Sequence, residues 1–122
     1  MEETKLNSDS LMTVLVVDLL EKTASGIIKV SYEKRSKTIT NGKALGVALR
    51  ALSGLRVVLD KRKDEIDLTA LDAMDKKLRS EVYTTERIEL SHDILTELAD
   101  IIKNIANELK IKYKLEQKSW YL

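Results

Sequence analysis

The chain has 122 residues, enough for one domain with one core; 43% are hydrophobic and 34% charged, a globular balance with a heavily solvated surface. Pro, Phe and Cys are absent and Gly occurs four times, so the core is aliphatic, long helices are favoured over strands and turns, and no disulfide or thiolate zinc site exists. The net charge of +1 argues against a general polyanion binder, and the lack of Cys fits a reducing, cytoplasmic compartment.

Residues 1–9 are polar and read as a disordered lead-in. Ser8, Asp9 and Ser10 offer capping oxygens for a first helix from about Leu11 to Thr23. Its apolar residues cover most of its circumference, so it is expected inside the fold or an oligomer core. The run Leu11 to Leu20 is about half a membrane span and contains Asp18, and the acidic Glu2 and Glu3 before it do not suit a secretory signal; no membrane partner is expected. Ser25-Gly26 reads as the helix stop.

Residues 27–40 alternate Ile28, Val30 and Tyr32 with Lys29, Ser31 and Glu33. That period of two suggests a short β-hairpin with Lys34-Arg35-Ser36-Lys37 at its tip, the alternatives being a crossover loop or a short extra helix. A second helix, about Lys43 to Lys63, opens after Thr40-Asn41-Gly42 and carries the stripe Leu45, Leu49, Leu52, Leu55 and Leu59 beside Ala44, Ala48, Ala51 and Val58. Its Ser53-Gly54 marks a kink or a close contact. Asp67 caps a third helix, about Leu68 to Tyr83, with Leu71, Met74, Leu78 and Val82 inward.

From Thr85 to about Lys118 the spacing predicts one long amphipathic helix, with Ser91 as a second start signal. Leu95, Leu98, Ile102, Ile105 and Leu109 fall at alternating intervals of three and four, a coiled-coil-like seam. Were the helix continuous, Ile105, Leu109, Ile111, Tyr113 and Leu115 would overhang the shorter third helix. The seam is therefore the expected oligomer interface, with a homodimer or larger assembly following from it. The only Trp, Trp120, sits at the end of the tail Ser119-Trp120-Tyr121-Leu122.

Little in the chain suggests catalysis. His92 is the only histidine and has no metal-ligand spacing around it; no phosphate-binding loop is present, and neither a metal nor a cofactor is expected. Arg87-Ile88-Glu89-Leu90-Ser91-His92 resembles the Arg-x4-6-His signature of HEPN ribonucleases, helical bundles that dimerise to build an RNA-cleaving cleft. The resemblance implies that Arg87 would hold the scissile phosphate and His92 would move the proton. It spans six residues and departs from the pattern at Ile88, where the family usually has a polar residue. On a continuous helix, positions five apart also point about 140° from one another, so a break near Ser91 is required.

The other candidate surface is basic. Residues 27–43 carry five cations (Lys29, Lys34, Arg35, Lys37 and Lys43) against Glu33 alone, a net of +4 that could follow a phosphate backbone. The expectation is thus an all-α, four-helix bundle-like domain over 1–122, with a long final helix and a hairpin between helices 1 and 2. Its expected role is a non-enzymatic, oligomeric module acting through protein–protein contact, as an adaptor, assembly or immunity-type protein does. Nucleic-acid binding through the basic segment is the alternative, and a HEPN-like ribonuclease ranks third.

Overall fold

The structure, a computed structural model, describes residues 8–82 and 91–115. They form four helices: α1 (Ser8–Arg35), α2 (Asn41–Leu59), α3 (Thr69–Val82) and α4 (His92–Lys112), with a 3-10 turn, Asp60–Arg62, after α2. No strand occurs among the described residues, so the chain is all-α there.

The hairpin expected over 27–40 is absent: α1 runs straight through Ser25-Gly26 and the β-branched stretch to Arg35. The inner row of α1 explains why. Thr13, Val17, Leu20, Ala24, Ile27 and Ser31 are all buried, at intervals of four, three, four, three and four. The helical period therefore continues across the segment whose local alternation mimics a strand, and core packing outweighs β propensity. Gly26 faces solvent with nothing within 4 Å of where a Cβ would stand and without a positive φ, so it costs the helix some stability without ending it.

Two lysines make the real stops. At the end of α1, Lys37 adopts φ 61°, while Lys37 N–H donates to the Lys34 carbonyl and Thr38 N–H to that of Glu33. At the end of α4, Lys114 adopts φ 57°, with Lys114 N–H bonded to Ile111 and Leu115 N–H to Lys110. Both are Schellman endings, with lysine in the left-handed position that glycine usually holds. Leu115, next in line, folds back into the core.

The helix starts follow side-chain caps. Thr40 accepts from Lys43 N at 3.2 Å, Ser91 from Ile94 N at 3.2 Å, and Asp67 from Thr69 N at 2.9 Å. Ser91, the second start signal, is thus where α4 begins. The expected segment 85–90 and the tail 116–122 lie outside the described residues, as do residues 1–7.

α1 and α4 make the most extensive pairing in the fold. They run antiparallel: the Ser31 carbonyl meets His92 at one end, while Thr13 and Tyr113 share Arg62 at the other. Lys110 Nζ reaches Glu21 Oε2 at 2.5 Å between them. α2 closes a second side of α1 with Ala44, Ala48, Leu52, Leu55 and Leu59, and α3 adds Leu71, Met74 and Leu78. Gly54 of α2 is exposed with open space around it, so it marks no close helix contact.

This packing changes the meaning of the C-terminal seam. Leu95, Leu98, Ile102, Ile105 and Leu109 are each 4% exposed or less within the single chain. With 28 residues, α1 is about 42 Å long at 1.5 Å per residue, enough to cover α4 throughout. The expected overhang is therefore not formed by Ile105, Leu109 or Leu115, which are buried; Ile111 alone of the large aliphatics at that end faces water, at 67% exposure.

Candidate functional site

Most of the exposed large hydrophobic side chains among the described residues lie on the N-terminal half of α1. Leu11, Leu15 and Leu19 follow one another at four-residue intervals, a single row on the helix, and Met12 stands beside it. They are 52%, 58%, 41% and 56% exposed, respectively. The nearly all-round apolar helix is thus two-faced: one row builds the core and the opposite one meets solvent. Asp18, flanking the row, is paired with Lys22 at 3.0 Å.

Beside this row lies an open cleft of about 420 Å³ between α1, the end of α2 and the 3-10 turn. Met12, Val16, Val57 and Val58 form its apolar wall, and Lys61, Arg62, Glu65 and Tyr113 its polar end. Val57, at 67% exposure, carries the apolar surface from α1 onto α2.

The polar end is a closed network. Arg62 Nη2 donates to Thr13 Oγ1 at 2.6 Å and to Tyr113 Oη at 3.0 Å, while Arg62 Nε donates to Glu65 Oε2 at 3.0 Å. Tyr113 Oη in turn donates to Glu65 Oε1, and the guanidinium carbon sits 5.3 Å from the Tyr113 ring centroid. Lys112 Nζ adds a longer contact to Glu65, at 3.9 Å. Hydrogen bonds from Arg62 and then Tyr113 hold the Glu65 carboxyl below its ordinary range. Burial opposes the charge on Arg62, yet Glu65 and Tyr113 outweigh it and raise its pKa. Thr13, Arg62, Glu65 and Tyr113 had no signal in the sequence beyond the three-residue spacing of Arg62 and Glu65, since 48 or more positions separate the other partners.

The basic residues singled out from the sequence gather at the α1–α2 corner. Lys29 and Lys43 are exposed, Lys34 Nζ bonds Asn41 Oδ1 at 3.4 Å, Arg35 lies 5.9 Å from the Tyr32 ring centroid, and Lys37 holds the left-handed turn. They decorate a helix end and the first turn of the next helix rather than a hairpin tip.

Of the Arg87–His92 pair, Arg87 lies outside the described residues. His92 is the first residue of α4, and its Nδ1 stands 3.1 Å from the Ser31 carbonyl. A carbonyl only accepts, so Nδ1 is the donor. With Tyr32 5.5 Å away between ring centroids, the imidazole ties the start of α4 to the last turns of α1. Among the described residues no group of His, Cys, Asp or Glu is arranged to hold a metal ion, and no helix is long and apolar enough to cross a membrane.

Compared with known proteins, the chain has no significant match to any family model, curated protein or solved structure.

Proposed function

We propose that the protein is a non-enzymatic helical module that acts by protein–protein contact, as an adaptor, assembly or immunity-type protein does. One observation carries this reading: the apolar surface of Leu11, Met12, Leu15, Leu19 and Val57 lies open to water while most of the other large aliphatic side chains among the described residues are packed inside. Covering apolar surface is favourable by about 25 cal/mol per Å², and patches of this kind on soluble proteins mark contact sites. A second copy or a different protein can occupy it; in a homodimer the same face would serve both subunits. The C-terminal seam expected to mediate self-association is internal, so this reading rests on the open face of α1 instead.

A photo-crosslinking side chain at position 15, with one at the exposed Ala73 of α3 as control, tests the reading. In cells, position 15 should yield a discrete protein adduct and position 73 none, and the mass identifies a second copy or another partner. No adduct at 15, or equal smears at both positions, contradicts it.

The convergence of Lys34, Arg35, Lys37 and Lys43 at one corner favours a second reading, in which the module binds nucleic acid. Affinity would then fall steeply with salt, and replacing these four residues by Ala would flatten that slope. Absence of binding to single or double strands at low salt eliminates it.

A further inference from the structure

We infer that the leucine row of α1 and the cleft beside it are covered together by an acidic amphipathic helical segment of a partner protein, apolar along one face and bearing Glu or Asp along its edge. The inference rests on the protein-contact reading and adds the chemistry of the partner. Shape comes first. The row Leu11, Leu15, Leu19 rises about 12 Å over eight residues at 1.5 Å each, and Val57 extends the apolar surface sideways. An open, elongated apolar face suits the side chains of two helical turns, spaced at i and i+4, better than a compact ligand.

Charge then selects among such helices. Lys61 and Arg62 line the cleft, Lys112 stands beside it, and Glu65 is the only acidic lining residue. Arg62 and Glu65 are paired with one another and offset each other's charge toward an incoming chain. Asp60 at the same end of α2 is engaged by Arg56 at 3.6 Å. Lys61, by contrast, is exposed and has no acidic partner among the described residues. With Arg62 and Glu65 offset and Asp64 outside the lining, Lys61 and, beside the cleft, Lys112 give its polar end a positive charge next to the apolar wall. This arrangement rewards a carboxylate placed next to a buried Leu or Met and repels a lysine there.

Fluorescence anisotropy on the full chain tests this with two labelled helical peptides, both leucine-rich on one face, with glutamate on the other face in one and lysine in its counterpart. The glutamate peptide should bind about tenfold more tightly at low salt, a preference of the size close charge pairs supply. Lys61→Glu should remove most of that preference while leaving the thermal melt unchanged, and Lys112→Glu should weaken it in the same direction. Equal binding of both peptides, or a preference that survives Lys61→Glu, overturns the inference. Failure of both peptides to bind, with the position-15 adduct still formed, overturns the acidic-helix chemistry and leaves the contact reading standing. Loss of that adduct removes the contact reading itself.

Discussion

Arg62 donates to Thr13 at 2.6 Å across 49 positions of sequence, and Thr13 is completely buried. This bond fixes the turn after α2 against the first turns of α1 and so holds Arg62 where it lines the cleft. Thr13→Val keeps the side-chain shape and removes the acceptor. A lost hydrogen bond to a charged group costs about 1.5–3 kcal/mol, so the melting temperature should fall clearly. An unchanged melt would show that the bond contributes nothing net.

Glu65 sets an acid limb to stability. Its folded pKa is depressed, so the stabilisation is complete above the ordinary glutamate value of about 4.3 and is lost as pH falls through the lower folded value. Glu65→Gln cannot titrate. Between about pH 5 and 3 its unfolding free energy should therefore decline less than that of the wild type. Parallel declines would contradict the role assigned to Arg62 and Tyr113.

Lys37 and Lys114 hold left-handed backbone that disfavours any side chain. Replacing either by Gly should stabilise the protein by about 1 kcal/mol, since a left-handed non-glycine residue costs about 1–2 kcal/mol and the greater chain entropy of Gly offsets part of that. Gly26→Ala should add about 0.5–1 kcal/mol, because the helix is regular there and the new methyl meets open space. Chemical denaturation measures all three; destabilisation by Gly26→Ala would mean that α1 is broken at that point.

Leu109 is fully buried, so Leu109→Asp should unfold the chain rather than release a dimer. An uncompensated buried carboxylate costs several kcal/mol. Circular dichroism showing intact helicity and a cooperative melt in this variant would restore the seam as an outer surface.

The sequence showed the helical class and the seam of α4 because their periods are long and unbroken. The stripe of α2 was read partly: Ala44 and Ala48 are buried, whereas Leu45 and Leu49 are only half-buried. It misled over 27–35, where alternating β-branched residues look like a strand locally and only the row from Thr13 to Ser31 shows the helix. Gly26 looked like a stop because a glycine in sequence does not reveal whether its φ is positive, and here the left-handed turns belong to lysines. The open face of α1 was hidden for a related reason. A helix apolar nearly all round does not declare which row the core will take; the packing of α4 and α2 against α1 settles that. The Arg62 network joins residues too far apart in sequence for any spacing to announce.

Met12 reports on the open face directly, because it is 56% exposed while Met74 is 4% exposed in the same chain. Hydroxyl-radical oxidation should modify Met12 readily in dilute purified protein and spare Met74. In cells, where the partner is present, Met12 should be protected several-fold with Met74 unchanged. Equal oxidation of Met12 in both settings would mean that nothing covers the leucine face of α1, and would contradict a role in protein contact.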